Sequence, residues 1–410
     1  MTLIVQKYGG SSLATPELIN NVARKIAVTH DKDDEVVVTV SAVGGHTDEL
    51  IQMAKKVSSS PDLRELDVLL STGELQSCAL VAMALRNIGK KAISLNGAQA
   101  GIITDSSHGF AKITSIDSDR IRKELALGNI IIVAGFQGIT ERKDITTLGR
   151  GASDLTAVAL AAVLNAERCE IYTDVEGIYT GDPSLIPDAR VLSEIGFEDM
   201  LEFSSHGAKM NPRSIELAMV YDVPIVVASS FTDTVGTLIH GGIQMDATIG
   251  EIRNRVVGVT AEKQVAKVTV YSVTDRPGVA AAIFDPLAEA GISVDVIVQN
   301  TSISGITDLT FTVTESDLDK ATRVLGKIIP TLGSEGIGTS HGLAKISVVG
   351  TGMQDAPGYA SRMFRALSDN HINIEMITTS EIRITCIIKE ESSESAARAI
   401  HAAFELDKSV

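Results

Sequence analysis

At about 150 residues per domain, a chain of 410 residues makes two to three domains, enough to bury a large apolar core without disulfide staples. Hydrophobic residues at 44% and charged ones at 21% set aside disorder and fibrous repeats. A net charge of -16, from 36 Lys plus Arg against 52 Asp plus Glu, repels phosphate backbones and anionic lipid and so disfavours nucleic-acid and membrane partners.

Cys78, Cys169 and Cys386 are too few and too widely spaced for a disulfide framework or a CxxC site, and they read as buried small hydrophobes. The opening MTLIVQKYGGSS lacks the basic patch and apolar core of a signal peptide. No stretch approaches the roughly 18 uncharged apolar residues of a membrane span, so a cytoplasmic protein is expected. A strand is predicted at Leu3–Val5, a helix over Pro16–His30, a strand at Val36–Val40, a helix from Thr47 and another over Leu75–Asn87. Apolar runs at Ala92–Leu95, Ile130–Ala134, Glu170–Thr173 and Pro224–Val227 each adjoin a helical pattern, which predicts a mostly parallel sheet with helices on both faces.

Beyond about residue 240 the chain carries an internal repeat. Ala266-Lys-Val-Thr-Val leads to Asp275-Arg-Pro-Gly-Val, a helix and Ala290-Gly-Ile-Ser-Val-Asp; Ala344-Lys-Ile-Ser-Val leads to Ala356-Pro-Gly-Tyr, a helix and Asn370-His-Ile-Asn-Ile-Glu. Pro277 and Pro357 stand 80 apart, as do Ile292 and Ile372, whereas Lys267 and Lys345 stand 78 apart. The second copy thus has two extra residues before its proline. Each module reads as βαββαβ, with the proline expected in the first helical turn and the free N–H groups there able to receive an anionic group.

Three glycine-rich turns follow predicted strands or open predicted helices. In Lys7-Tyr8-Gly9-Gly10-Ser11-Ser12 the glycines would admit a phosphate and Lys7 would supply charge, although a tight turn is the plainer reading and the order is not that of a Walker A loop. In Gly149-Arg150-Gly151-Ala152-Ser153-Asp154, Arg150 could grip a carboxylate through two parallel hydrogen bonds, while Ser153 or Asp154 could simply cap the next helix. The stretch Tyr172–Pro183 is either a surface turn or, at a strand's carboxyl end, part of a nucleoside pocket. Glu74 either offsets a helix dipole or binds a ligand ammonium, Thr47 either caps a helix or contacts ligand, and Lys209 could be an ordinary exposed lysine. None of the eight histidines forms a metal-ligand spacing and GxSxG is absent, so neither a transition-metal site nor a hydrolase elbow is expected.

In this order, KYGGSS, LGRGASD, EIYTDVEGIYTGDP and GAKMNPRS, followed by the paired modules, resemble the aspartate kinases of the amino-acid kinase superfamily. The resemblance implies an α/β fold: a three-layer αβα kinase domain over 1–240, a linker over 241–261, and ferredoxin-like ACT domains over 262–340 and 341–410. It implies transfer of the ATP γ-phosphoryl group to the side-chain carboxylate of L-aspartate, giving 4-phospho-L-aspartate for lysine, threonine and methionine synthesis. By the same resemblance Lys7 and Lys209 bind the phosphates and stabilise the transferring group, Tyr8, Gly9, Gly10 and Ser11 form the phosphate turn, and Asp154 orients a lysine. Arg150 holds the aspartate α-carboxylate, Glu74 its ammonium, and Ser41, Thr47 and Ser153 complete the cradle. Thr173, Asp174, Tyr179 and Asp182 line the nucleotide pocket. Mg²⁺ accompanies ATP, held mainly by phosphates and water, and no protein ligand is assigned to it.

The resemblance also implies feedback control by lysine, threonine or both, bound between ACT domains paired across subunits. Thr274, Asp275, Pro277, Gly278, Val279, Ser293, Val294, Asp295 and Gln299 match effector positions, with Asn373, Ile374, Ser380 and Glu381 facing them; the plainer reading makes these turn and cap residues. A homo-oligomer is expected, or an assembly with an ACT-only subunit started near Met245. Three departures stand out. Ala152 replaces a usual glycine, where its methyl would crowd the phosphate turn; the loop Met210-Asn211 is one residue short, which puts Arg213 in doubt; and KYGGSS replaces KFGGTS, a harmless change. Two other readings compete: an N-acetylglutamate or glutamate kinase, which Glu74 opposes because an acylated amine cannot pair with it, and a catalytically weakened sensor subunit.

Overall fold

The strands β1 (Leu3–Tyr8) and β2 (Glu35–Val40) are buried along nearly their whole length, as a parallel sheet covered on both faces requires. Between them α1 (Pro16–His30) starts where Thr15 Oγ1 accepts the Leu18 N–H at 3.3 Å, with Pro16 in the first turn wasting no hydrogen bond. The computed structural model describes residues 2–205, 210–241, 255–300, 305–351, 353 and 357–408. These divide into two units, the first comprising Met1–Ile178 and Val191–Gly250 and the second Tyr179–Arg190 and Glu251–Val410.

The first unit continues with α2 (His46–Val57), α3 (Leu63–Asn87), β3 (Ala92–Leu95), β4 (Ile102–Thr104), β5 (Ile113–Ile116), α4 (Asp119–Ala126), β6 (Ile130–Ala134), β7 (Gln137–Ile139) and β8 (Ile145–Thr147). It is completed by α5 (Ser153–Leu164), β9 (Arg168–Thr173), β10 (Glu194–Gly196), α6 (Phe197–Ser205), α7 (Pro212–Tyr221), β11 (Ile225–Ser229) and β12 (Thr237–His240). The main sheet runs β10-β12-β11-β9-β1-β2-β6-β3. All its pairs are parallel except β11 with β12. A second sheet, β5-β4-β7-β8, has strands of three or four residues, too short for an apolar period to be read from sequence.

Val22, Ile26, Val36, Val38, Val81, Leu85 and Ile132 form one core between the helices and the sheet. Its helix α3 is long and apolar enough to cross a membrane by length and composition, against the expectation that no stretch approaches such a span; more than half of that apolar window is buried in the protein. The helix also starts twelve residues before the predicted Leu75, where Asp62 accepts the Arg64 and Glu65 N–H groups at 3.0 and 3.2 Å. At Gly73 it packs closely on the loop after β2, where an added Cβ would lie 2.9 Å from the Ala42 Cβ.

The second unit contains β13 (Arg255–Thr274), α8 (Val279–Glu289), β14 (Ile297–Gln299), β15 (Ile306–Thr314), α9 (Leu318–Leu332) and β16 (Gly336–Thr351), the expected βαββαβ order. It ends with α10 (Tyr359–Asp369), β17 (Met376–Thr379), β18 (Arg383–Lys389) and α11 (Ser393–Ala403), and its six strands form one sheet in the order β14-β15-β13-β16-β18-β17. Three expectations are corrected here. Residues from Arg255 onward, assigned to the linker, are strand: Arg255–Glu262 pairs with Lys345–Thr351, so the second module borrows a strand from before the first. The prolines stand outside the helices, because Gly278 (φ 92°) and Gly358 (φ 116°) take the N-cap positions in left-handed backbone that favours glycine. And Tyr179–Arg190 belongs to the second unit: Thr180 Oγ1 meets the His401 imidazole at 2.9 Å, and Ile186 lies in the same apolar cluster as Val348 and Ile400.

The repeat offset reappears as a reciprocal exchange of charge. Lys267 of the first module pairs with Glu375 of the second at 2.8 Å, and Lys345 of the second pairs with Asp295 of the first at 2.5 Å and with Glu262 at 2.8 Å. Val265, Val296, Leu343 and Ile387 fill the space between the modules. All three cysteines are free and buried, and burial pushes the Cys78 and Cys386 thiols up to about 12.

Candidate active site

The centre of the first unit is an ion pair at strand and helix ends. Lys7, one residue from the end of β1, meets Asp154 in the first turn of α5 with Nζ to Oδ1 2.7 Å, the side chains only 12% and 7% exposed. Neither Ser153 nor Asp154 is a cap, since Ala152 holds that position. After β1 the chain turns sharply: Gly9 N–H donates to Tyr172 O at 3.3 Å and Gly44 N–H to Gly10 O at 3.1 Å. Only glycine fits at position 10, where a Cβ would lie 2.5 Å from Ala42 O. At Gly9 an added Cβ would make ordinary van der Waals contact with Lys7 Nζ at 3.7 Å and Tyr172 O at 3.8 Å, so its backbone lies directly beside the ammonium. Ser11 is exposed at this turn. The Tyr8 side chain is fully buried and stacked on Tyr172 at 4.8 Å, and its carbonyl accepts the Ser41 N–H, so its phenol is part of the core.

Glu74 projects from α3 to the loop after β2. Its Oε1 accepts the Ala42 N–H at 3.1 Å, whereas Oε2, buried in a side chain of a residue only 4% exposed, has no hydrogen-bond partner. Burial raises its pKa to about 7 against the lowering effect of the Ala42 bond. A buried carboxylate with one satisfied oxygen asks for a cationic ligand. Thr47 lies inside α2, whose N-cap is Gly45, so it does not cap that helix.

Arg150 is 74% exposed on its left-handed turn, with φ 93° at Gly149 and 75° at Gly151, and its guanidinium donates to Asp48 Oδ1 at 2.6 Å. The turn is anchored beneath. Arg213 donates to Leu148 O at 2.6 Å and Ala111 O at 3.0 Å over the Phe110 ring, and Asn211 caps α7 and donates to Arg150 O at 3.3 Å. The short Met210-Asn211 loop therefore leaves Arg213 well placed. Ala152 is buried in one apolar cluster with Leu50, Leu70, Phe136 and Leu155.

Thr173 Oγ1 donates to Asp174 at 3.1 Å at the end of β9. Tyr179 and Asp182 lie in the second unit, where Asp182 Oδ1 accepts the Ser184 N–H and hydroxyl at 2.8 and 2.7 Å, the plainer turn role. Lys209, Met245 and the neighbouring GAK residues lie outside the described residues. Of the effector positions, Thr274 ends β13, Asp275 N–H donates to Gly305 O, and Gly278 and Val279 open α8. Ser293 and Gln299 are exposed, Val294 and Ile374 pack on the two module cores, and Asn373 and Glu381 are exposed. Ser380 Oγ is buried without a hydrogen-bond partner. Asp295 is engaged by Lys345, which the sequence did not indicate.

Residues 2–229 match the Amino acid kinase family, and residues 267–330 and 346–404 each match an ACT domain. The chain belongs to the amino acid kinase family. An aspartate kinase of Stutzerimonas stutzeri is 47% identical over 409 residues, covering 99% of this chain and 98% of that protein. An aspartokinase of Corynebacterium glutamicum is 46% identical over 410 residues, covering 99% and 97%. Aspartokinase III of E. coli, crystallised with lysine and aspartate, superposes with a TM-score of 0.75 at 25% identity over 98% of this chain and 99% of that one. Within the family the chain stands among the aspartate kinases that carry two C-terminal ACT domains.

Proposed function

We propose that this enzyme transfers the γ-phosphoryl group of ATP to the side-chain carboxylate of L-aspartate, giving 4-phospho-L-aspartate and ADP. The observation that carries the reading is Glu74: a buried carboxylate oxygen without a partner suits the substrate ammonium, which an acylated amino acid lacks. The nucleophile needs no base, because a carboxylate with a reference pKa near 3.9 is already ionised at neutral pH. The obstacle is repulsion. Two unit charges 4 Å apart cost about 4 kcal/mol at an effective dielectric of 20.

Lys7 offsets that charge at the γ-phosphate, held in place by Asp154, while the glycine turn beside its ammonium receives the phosphates. Lys209, by the family resemblance, joins Lys7 in binding the phosphates and stabilising charge on the transferring group. Thr173 and Asp174, at the end of β9, bind the nucleotide, and Ser41, Thr47 and Ser153 complete the acceptor cradle. Asp154 is engaged by Lys7, and the Mg²⁺ that accompanies ATP would be held mainly by phosphates and water. Mg²⁺ bound in that way would neutralise charge on the β- and γ-phosphates.

Arg150 trades Asp48 for the substrate α-carboxylate. An exposed ion pair is worth no more than about 1 kcal/mol, so a bidentate carboxylate displaces it readily. Arg150→Ala is expected to raise the aspartate KM at least tenfold and the ATP KM less than twofold in initial-rate kinetics. Equal shifts in both would remove Arg150 from the acceptor site.

The ACT pair receives lysine, threonine or both across subunits, and the enzyme serves lysine, threonine and methionine synthesis in the cytoplasm. Support comes from the helix starts at Gly278 and Gly358, which have no side-chain caps. Gln299→Ala is expected to weaken inhibition several-fold in effector titrations while leaving uninhibited turnover unchanged. The test of the whole reading is hydroxylamine trapping of the acyl phosphate with ATP and L-aspartate, lysine and threonine added singly and together. Aspartate-dependent hydroxamate that falls with an effector supports it; saturable effector binding without turnover would favour the sensor subunit.

A further inference from the structure

Helix α3 carries two buried carboxylates, Asp67 and Glu74, seven residues and so about 10 Å apart on one face. Glu74 keeps an oxygen unpartnered. Asp67, 1% exposed, is saturated by protein: Oδ1 accepts the Thr147 hydroxyl at 2.5 Å, both oxygens lie 3.1 Å from the Gly109 N–H, and Oδ2 meets His108 Nδ1 at 2.8 Å. Thr147 ends β8, three residues before Arg150. The loop that His108 and Gly109 belong to continues into Phe110, whose ring fills the space beneath Gly149: a Cβ there would lie 2.6 Å from the ring. Ala111 N–H donates to Thr147 O at 2.9 Å, and Arg213 closes the same base through Leu148 O and Ala111 O.

We infer that Asp67 is a positioning residue for substrate recognition, locking the base of the Arg150 turn to the helix that bears Glu74 and thereby setting the separation of the groups that take the α-carboxylate and the ammonium. The inference rests on the acceptor-site reading of Arg150 and Glu74. The physical case lies in the contrast within the turn. Arg150 itself is exposed and makes one exposed ion pair, so its reach is set by the backbone beneath it, and that backbone is tied down by a buried charge accepting hydrogen bonds from two segments at once. Bonds to an ionised acceptor are roughly twice as strong as neutral ones, which suits a fixed spacing. An amino acid whose charged groups are a single carbon apart tolerates little error in that spacing.

The test compares Asp67→Asn, Thr147→Val and Arg150→Ala in the full-length enzyme. Each is assayed for aspartate KM, ATP KM, melting temperature and the ratio of affinities for L-aspartate and its α-amide, which lacks the α-carboxylate charge. Asp67→Asn is expected to raise the aspartate KM at least fivefold with the ATP KM within twofold and to lower the discrimination against the α-amide. Thr147→Val should move both in the same direction by less, and keeps the inference testable should Asp67→Asn not fold. If the melting temperature falls while KM and discrimination hold, Asp67 is a stability residue only and the inference fails. If Arg150→Ala itself leaves discrimination unchanged, the acceptor-site reading fails first and takes the inference with it.

Discussion

Lys7→Met is expected to lower kcat by at least about a hundredfold, the scale on which removing one preorganised donor to a developing charge acts. The same substitution leaves Asp154 buried beside α5 with no counter-ion, which costs about 3 kcal/mol of stability. The two effects separate in the double variant Lys7→Met with Asp154→Asn. Removing both charges should restore most of the lost melting temperature, since no isolated charge remains, while kcat stays at the level of the single variant. Recovery of kcat in the double variant would mean that Lys7 serves only to neutralise Asp154. Loss of kcat in step with the folded fraction would mean that its role is structural.

Glu74→Gln carries the second large effect, and its sign reverses between stability and function. The folded-state pKa of Glu74 is raised from 4.5 to about 7, chiefly by burial. A carboxyl raised in this way contributes its full stability below pH 4.5 and loses it progressively as pH rises through about 7. Glutamine has no such loss, so Glu74→Gln should stabilise the ligand-free protein at pH 8 by up to about 3 kcal/mol, the 2.5-unit shift taken at 1.36 kcal/mol per unit. It should also raise the aspartate KM about a hundredfold, because the ammonium loses a buried, ionised partner. In the unaltered enzyme aspartate affinity should tighten about tenfold per pH unit up to about pH 7 and level off above it, as Glu74 ionises. Melting curves at pH 5 and 8 with aspartate titrations across that range would read both. A destabilised Glu74→Gln protein at pH 8, or a flat pH profile, would contradict the assignment.

Coupling between the two predictions is small. Among the described residues Lys7 and Glu74 share no bonding partner, and their partners lie on different elements, α5 for one and the loop after β2 for the other. Their effects on binding and on turnover should therefore add within experimental error.

Much of this protein was legible before folding. Continuous apolar runs separated by helical periods specified the parallel sheet, because strands covered on both faces need no polar alternation. The repeat specified the strand-helix-strand-strand-helix order shared by both modules, since Lys267 and Lys345, Pro277 and Pro357, and Ile292 and Ile372 recur at nearly one spacing, but not that the second would take its remaining strand from before the first. Local chemistry also marked the turn glycines, where only a residue without Cβ lets backbones meet, as at Gly10. Tertiary structure alone decided the rest. The partners of Lys7, Glu74, Asp67 and Lys345 lie on elements distant in the chain, so no local pattern could announce them. The same holds for the borrowed strand Arg255–Glu262, whose neighbour arrives after an intervening module, and for Tyr8, whose place in a glycine turn gave no sign that stacking on Tyr172 would bury its ring. Periodicity and turn chemistry act over a few residues, whereas pairing of buried charge depends on which distant segments the fold brings within about 3 Å. That is why the architecture could be read along the chain, while the anchoring of Arg150 and the ionisation of Glu74 came only from its folding.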